Sequence, residues 1–353
     1  MCLYPKLVKN RKYCATKKNG GVIPKHTDDR VLMIPVGCGK CMECMKQKAN
    51  GWRTRLLEEV RNDNTGKFVT LSFSDESLNR LGKDKNIKYL EGYEQDNAIA
   101  KKALRKFLET WRKKTGKSVK HWCVTELGGN YTERIHIHGI LFTNDIQLIK
   151  EKWQERTVKG KKVGFGNVWI GDYVNESTIH YIVKYLHKVD VKHKEYKSIV
   201  LTSAGIGKKY LDRNDSKRNA FNGDKTIQTY KTKEGKTIGI PKYYRNKLYT
   251  EEEREELWLQ LLDEQVRWVD GVKIDVSQDT TDYEKVRNEA RKKNKRLGFG
   301  NDEKDWDKIR YENSQRKLGQ RIKKEERVEE KNLPERSDSV WDRATRPPNG
   351  SNT

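Results

Sequence analysis

Two histidines separated by one residue, His136 and His138, form the pattern in this sequence that most directly indicates chemistry. They lie in the segment 134–142 (RIHIHGILF), where isoleucine and histidine alternate as in a β-strand. Side chains two residues apart in a strand point to the same face, so both imidazoles can bind one metal ion. For such a pair taken alone we favour the alternative, two polar residues on a solvated strand face.

Glu126 changes that balance. It lies near the end of the segment 119–127 (VKHWCVTEL), a predicted strand that is followed by the turn signal Gly-Gly-Asn. The two segments predict a β-hairpin, which brings Glu126 beside the two histidines as an oxygen ligand. Two imidazoles and one carboxylate leave positions open for phosphate oxygens and water, as metal-assisted phosphoryl chemistry requires. The set suits Mg²⁺ or Mn²⁺ and leaves zinc open, and the alternative for Glu126 is a surface carboxylate paired with a lysine.

Tyr181 and Tyr185 lie four residues apart in the segment 176–189 (ESTIHYIVKYLHKV), whose apolar residues have helical spacing. Residues four apart share a helix face, so both phenols can serve one site in turn. Lys184 is placed to hold a phosphate or to stabilise developing charge. Because the ordinary pKa of tyrosine is about 10, it is a poor nucleophile unless the phosphate is polarised. The alternative, favoured for an isolated Tyr-X3-Tyr pair, is that both tyrosines simply pack on the sheet.

The remaining periodicity predicts an α+β fold in which helices pack on a sheet that positions these residues. A turn or helical cap is predicted at 74–81. Helices are predicted over 51–62, 97–114, 146–156 and 176–189, and strands over 67–73, 119–127, 134–142 and 164–170.

The net charge of +24 predicts a polyanionic partner. No apolar run approaches the roughly 18–20 residues that span a bilayer, and the N-terminus lacks the layout of a signal peptide. We therefore predict nucleic acid as the partner and no membrane. Trp122, Tyr131 and Trp169 are candidates for stacking on unpaired bases, although for Trp169 we favour core packing. Residues 205–208 (GIGK) lack the spacing of a phosphate-binding loop, so no helicase engine is visible.

Cys38, Cys41 and Cys44 form a Cys-X2-Cys-X2-Cys pattern, with Cys2 and Cys14 upstream. These cysteines offer enough thiolates for a tetrahedral zinc ion, which would staple a segment too poor in apolar residues to fold alone. The spacing also matches part of an iron–sulfur pattern, although a fourth ligand with its following proline is absent. The remaining alternative is a set of reduced thiols packed near the first helix, and the sequence leaves zinc and this alternative equally weighted.

As an ordered set, the motifs resemble the HUH endonuclease superfamily, in which U is a hydrophobic residue. The motifs are Thr70-Leu71-Ser72-Phe73, Glu126, His136-Ile137-His138-Gly139 and Tyr181-X2-Lys184-Tyr185. More narrowly, the chain resembles replication initiation proteins of the microvirus group of single-stranded DNA phages, especially the gokushovirus-like lineage. That narrower resemblance rests on 1–3 (MCL), 36–41 (VGCGKC), 203–211 (SAGIGKKYL) and 240–244 (IPKYY), and it spans about residues 1–270. One departure is that the family's Gly-Glu-Tyr-Gly reads Thr-Glu-Leu-Gly at 125–128.

The resemblance implies an antiparallel, RRM-like sheet with helices on one side. Glu126, His136 and His138 would be the metal ligands on its central strands, below the tyrosine helix. It also implies three regions: a Cys-rich N-terminal segment at 1–50, a replication-initiator domain at 51–270, and a charged, partly disordered tail at 271–353.

The implied activity is that of a rolling-circle replication initiator in the cytoplasm of a bacterial host. One tyrosine would nick single-stranded or origin DNA, form a 5′-phosphotyrosine and leave a 3′-OH for a host polymerase, with a host helicase as a further partner. The second tyrosine would later rejoin the strand. Within the superfamily, a single-strand transposase or a relaxase is the alternative, although the paired tyrosines and the Cys-rich start argue against both. From a different class, the alternative is a non-catalytic, basic protein that binds or packages single-stranded DNA.

Overall fold

The computed structural model describes residues 2–300, except residues 16, 129–132, 190–191, 194 and 234. Two predictions from the sequence therefore lie outside the described residues: base stacking by Tyr131, and the nature of the tail beyond residue 300. The predicted turn lies partly outside them, because Gly129 and Asn130 are not described while Gly128 is.

The described elements agree with the predicted α+β class. The strands are β1 (Lys6–Lys9), β2 (Met33–Val36), β3 (Gly66–Leu71), β4 (Lys120–Leu127), β5 (Ile135–Phe142), β6 (Thr157–Val158), β7 (Lys161–Lys162), β8 (Val168–Ile170), β9 (Val200–Thr202), β10 (Thr229–Lys231), β11 (Thr237–Gly239), β12 (Val266–Val269) and β13 (Val272–Asp275). The α-helices are α1 (Met42–Asn62), α2 (Asp75–Gly82), α3 (Gly92–Thr115), α4 (Ile146–Trp153), α5 (Glu176–Val183), α6 (Asn214–Lys217), α7 (Lys242–Leu248), α8 (Glu251–Asp263) and α9 (Thr281–Arg296). Short 3-10 turns include Lys184–Leu186 and Lys208–Asp212.

The central sheet has five strands in the order β8-β3-β5-β4-β9, and every neighbouring pair is antiparallel. The predicted hairpin of β4 and β5 is confirmed, with Leu127 opposite Ile135 at its closed end. Strict alternation along these strands fixes the register, because a slip by one residue would turn every buried side chain to the other face. The sheet therefore holds β3, β4 and β5 at its centre, where the candidate site residues lie.

Helices cover both faces of this sheet, so the expectation of helices on one side is wrong. One face packs against α2, α3 and α4 through a core that includes Ile135 and Ile137. The opposite face, which carries Ile140, packs against α1 and α5. Because β5 alternates, Ile140 lies on the same face as the histidines, and not with Ile135 and Ile137 as the sequence analysis grouped it.

Two predicted helices differ in extent from those observed. The helix predicted at 51–62 begins nine residues earlier, at Met42, so the cysteine motif forms its N-terminus. The segment 176–189 divides at Val183 into α5 and a 3-10 turn. The start of α5 is fixed by a capping box, in which the Asn175 side chain accepts from the Thr178 N–H and the Thr178 hydroxyl accepts from the Asn175 N–H.

The last described elements return to the beginning of the chain. The hairpin of β12 and β13 and helix α9 enclose a small core with Leu3, Cys41 and Met42, to which α9 contributes Ala290. The domain boundary predicted at residue 270 falls in the turn of this hairpin. Among the described helices, none combines the length and apolar character needed to cross a bilayer.

Candidate metal and tyrosine site

The paired strands bring Glu126 and His138 into direct contact. Glu126 lies opposite His136 in the register of β4 and β5, and His138 follows two residues later on the same face. The distance from His138 Nε2 to Glu126 Oε2 is 3.0 Å. On the other side of the ring, Thr70 Oγ1 lies 3.1 Å from His138 Nδ1, and Thr70 is the β3 residue paired with His138. Three adjacent strands thus fix the orientation of this imidazole.

The second oxygen of Glu126 accepts a hydrogen bond of 3.0 Å from Lys188 Nζ. Burial alone would raise the pKa of Glu126, but the hydrogen bonds from His138 and Lys188 outweigh it and hold the pKa below its usual value. The lysine pairing considered as the alternative for Glu126 is therefore present, together with the contact to His138. Lys188 was not among the predicted site residues, although its position seven residues after Tyr181, two helical turns on, is a signal that could have identified it.

His136 shares the strand face with His138, and its imidazole hydrogen-bonds the backbone of Arg134. Burial lowers the pKa of His136 below its usual value, so the neutral, metal-binding form is favoured. Within the part of the chain that the structure describes, only four cysteines form a group of three or more potential ligand atoms that all lie within 4.8 Å of one another. Glu126, His136 and His138 are therefore neighbours on one face without being assembled as a complete ligand set.

The Glu126–His138 pair nevertheless fits a divalent ion. Adjacent ligands at about 2.1 Å from an octahedral ion lie about 3.0 Å apart, which matches the observed 3.0 Å between His138 Nε2 and Glu126 Oε2. His136 would complete the set by turning its ring from the Arg134 backbone toward this pair. The arrangement offers one oxygen and two nitrogen ligands and leaves the side toward α5 to other groups.

Tyr185 and Tyr181 lie over this pair. The ring of Tyr185 stacks on His138, with centroids 4.7 Å apart and planes at 13°. Its hydroxyl donates a hydrogen bond of 2.6 Å to Tyr181 Oη. Tyr185 is buried at 6% exposure, whereas Tyr181 is 45% exposed. Burial, the hydrogen bond with Tyr181 and the negative charge of Glu126 raise the pKa of Tyr185 well above its usual value.

The predicted lysine also lies at the tyrosines. Lys184 Nζ is 4.0 Å from the centroid of the Tyr181 ring and 5.6 Å from that of Tyr185. This places a positive charge against the more exposed of the two phenols. The structure therefore brings together Glu126, His138, Tyr181, Lys184 and Tyr185, and His136 flanks them.

The tryptophan assignments are reversed in the structure. Trp122 is fully buried and packs against Trp52 at 5.8 Å between ring centroids, so it is not available to stack on a base. Trp169 is 58% exposed on the edge strand β8, so core packing is wrong for this residue. It pairs with Thr70 across β3 and β8 and therefore faces the same side of the sheet as His138.

The cysteines separate into a cluster and an outlier. The Sγ atoms of Cys2, Cys38, Cys41 and Cys44 all lie within 4.8 Å of one another. Cys14 lies outside the cluster, where its thiol donates to the carbonyl oxygen of Asn10 at 3.4 Å. Spacing along the chain had left five candidates, and the fold selects four of them.

Comparison with known proteins gives one family match. Residues 66–190 match a family model for replication-associated proteins of the ORF2 type. The matched segment begins with β3 and extends beyond α5, so it includes every site residue predicted from the sequence. No curated protein and no solved structure gives a significant match to this chain. The family match indicates a role in the initiation of replication.

Proposed function

We propose that this chain is a rolling-circle replication initiator of the HUH endonuclease type, of the kind used by microviruses. In this proposal it nicks single-stranded or origin DNA with a tyrosine and remains joined to the 5′ end. The observation that carries the proposal is the continuous line of contacts from Glu126 through His138 and Tyr185 to Tyr181. Core packing of the tyrosines would not require a carboxylate, an imidazole and two phenols in sequence.

Glu126, His136 and His138 are the residues that would hold Mg²⁺ or Mn²⁺ in this proposal. The ion, when bound, supplies positive charge that polarises the scissile phosphate. Thr70 keeps the His138 ring oriented through its Nδ1 atom, so that Nε2 stays directed at Glu126. The sheet thereby supplies rigid positions for the ligands.

Tyr181 is proposed as the first nucleophile. It is the more exposed phenol, and it accepts a hydrogen bond from the Tyr185 hydroxyl, which stabilises negative charge on Tyr181 Oη. Lys184 stabilises the same charge from the ring face. Tyr181 loses its proton to water and its oxygen bonds to phosphorus. The bond from phosphorus to the 3′ oxygen breaks, and that oxygen takes up a proton to become a free 3′-OH.

Tyr185 then remains for the second cleavage, after one round of synthesis from the 3′-OH by a host polymerase. The phosphotyrosine bond keeps the free energy of the cleaved phosphodiester, so rejoining needs no nucleotide. Host helicase action and a location in the bacterial cytoplasm belong to the same proposal. Trp169 is placed to stack on an unpaired base beside the site.

One observation favours the non-catalytic alternative. The charge of Glu126 is already compensated by Lys188 and His138, as expected of a vestigial site in a basic protein that only binds single-stranded DNA. Such a protein would account for the net charge of +24 without any covalent chemistry.

Covalent attachment to DNA distinguishes the two proposals. The full chain is incubated with labelled single-stranded circular DNA and Mn²⁺ or Mg²⁺, and the products are separated by denaturing electrophoresis. We expect a protein–DNA adduct that requires the ion and is lost in the double variant Tyr181→Phe/Tyr185→Phe, while binding persists. Tyr173→Phe is the matched control, because Tyr173 is exposed and lies outside the tyrosine pair.

The single variants test the order of attack. Tyr181→Phe should abolish the first adduct, whereas Tyr185→Phe should still form it and fail to release a circle. Strong DNA binding with no adduct under any divalent ion would overturn the proposed activity in favour of the binding protein. An adduct that survives in the double variant would show that another residue is the nucleophile.

A further inference from the structure

Four cysteine sulfurs meet at a place that has no role in the proposed reaction. We propose that Cys2, Cys38, Cys41 and Cys44 bind one structural Zn²⁺ ion. The proposal is independent of the nicking activity and rests on the geometry of the thiols and on the segments that they join.

The spacing of the sulfurs fits tetrahedral coordination. With zinc–sulfur bonds of about 2.3 Å, the sulfurs of a tetrahedral site lie about 3.8 Å apart. Cys2 Sγ and Cys41 Sγ are 3.9 Å apart, and all four sulfurs lie within 4.8 Å of one another. These separations are far from the roughly 2.05 Å of a disulfide bond, and each cysteine is a free thiol. The cluster therefore has the dimensions of a metal site.

Backbone N–H groups surround the sulfurs in the way that thiolates require. Cys2 Sγ accepts from the N–H groups of Tyr4 at 3.4 Å and of Cys38 at 3.2 Å. Cys38 Sγ accepts from Lys40 at 3.5 Å and from Cys41 at 3.3 Å. Donors of this kind stabilise negative charge on sulfur, which zinc ligation demands.

Two glycines allow the chain to make this turn. Gly39 has a φ of +71°, which lets the backbone fold back between Cys38 and Cys41. At Gly37, a β-carbon would lie 3.2 Å from Cys44 Sγ, so a side chain there would press on the cluster. The loop is therefore shaped around the four sulfurs.

The choice of zinc follows from the ligands and their surroundings. Four thiolates this close repel one another unless a cation lies among them. Four cysteine ligands in a closed, tetrahedral arrangement are the usual set of a structural zinc site. Cys41 is fully buried and the other three are half-buried, so the site leaves no open position for a substrate.

Zinc at this position would join the beginning of the chain to α1 and, through them, to α9. Arg291 Nε donates to the carbonyl oxygen of Leu3 at 3.0 Å. The buried side chain of Asn294 accepts from the Met42 N–H at 2.8 Å, at the first turn of α1. The ion would thus hold the floor on which α9 packs.

The decisive experiment measures metal in the full-length protein. Protein purified without added metal is dialysed against a weak chelator, and zinc and iron are measured by plasma mass spectrometry. We expect about one zinc per chain, in agreement with one four-cysteine site. Exchange with Co²⁺ should give the visible absorption and the sulfur-to-metal charge-transfer bands of a tetrahedral thiolate site.

Cys38→Ser is compared with Cys14→Ser, because both cysteines are half-buried and only Cys38 belongs to the cluster. Cys38→Ser should lose the zinc and the cobalt spectrum, and Cys14→Ser should keep both. If Cys38→Ser does not fold, the wild-type metal content and cobalt spectrum still decide the question. Iron with labile sulfide, a metal-free wild-type protein, or equal zinc loss in both variants would each overturn the proposal.

Discussion

The sheet site and the cysteine cluster treat charge in opposite ways. At the sheet site, the carboxylate of Glu126 contacts the cationic Lys188 and the imidazole of His138, so its charge is balanced by side chains of the chain itself. In the cluster, the four sulfurs contact backbone N–H groups and one another. Backbone dipoles stabilise thiolates but do not neutralise four of them. An ion at the sheet site can therefore exchange freely, whereas an ion in the cluster belongs to the folded state.

Metal removal gives the largest expected contrast between these regions. EDTA at a concentration that removes Mg²⁺ or Mn²⁺ should reduce adduct formation to background and leave the melting temperature unchanged. Removal of zinc by a stronger, thiol-assisted chelator should lower the melting temperature sharply, because structural zinc contributes about 10–16 kcal/mol in small zinc-dependent peptides. Calorimetry and the adduct assay on the same samples measure both effects. Loss of stability in EDTA alone, with zinc retained, would contradict the comparison.

A pair of tryptophan variants separates structural from DNA-binding side chains at the sheet. Trp122→Ala should lower the free energy of unfolding by about 3–5 kcal/mol, because it removes a fully buried ring. Trp169→Ala should change stability by less than about 0.5 kcal/mol. The same variant should weaken binding of single-stranded DNA by about 1–3 kcal/mol if the exposed ring stacks on a base. Denaturant titration and fluorescence anisotropy measure the two quantities.

Asn294→Leu tests how much of the stability near the cluster comes from the docking of α9. The variant leaves the Met42 N–H without its buried acceptor, and it removes the donor to the carbonyl oxygens of Phe299 and Gly300. The expected loss is about 1–3 kcal/mol of unfolding free energy, with zinc content unchanged. Asn288→Leu, an exposed position on the same helix, is the control and should stay within about 0.5 kcal/mol. Loss of zinc in Asn294→Leu would mean that docking and metal binding are one event.

Lys188→Met gives the smallest expected effect and tests the charge balance directly. Because Lys188 competes with a cation for Glu126, its removal should raise the affinity for Mn²⁺ in the absence of DNA. An exposed ion pair contributes about 0.2–1 kcal/mol, so the gain should be about fivefold at most. Titration calorimetry measures the affinity, and Lys184→Met is the control for metal affinity because Lys184 lies against Tyr181. Weaker Mn²⁺ binding in Lys188→Met would show that the lysine supports the ligands.

The sequence predicted the sheet well because its information is local. Alternation in 134–142 and the following pairing with 119–127 set both the hairpin and the shared face of Glu126, His136 and His138. The spacing of the tyrosines likewise predicted their contact, which survives the change from α-helix to 3-10 turn. These patterns need only neighbouring residues to be read correctly.

What the sequence did not predict depends on contacts between distant segments. Helices on both faces follow from tertiary packing, and the exposure of Trp169 follows from the position of β8 at the sheet edge. Helix α9 is highly charged, and its docking rests on Ala290 and Asn294, which no periodicity would distinguish. Spacing alone could not exclude Cys14 from the cluster. Lys188 was missed because its partner, Glu126, lies on another element.

The hydrogen bond between Asn294 and Met42 also has a consequence for the order of folding. It joins residues 252 positions apart, so the floor at the start of α1 waits for its cover until almost all of the described chain has been synthesised. The four clustered cysteines all lie within residues 2–44 and could gather much earlier. On a ribosome, an early knot in the emerging chain would keep the docking surface in shape until its distant partner arrives.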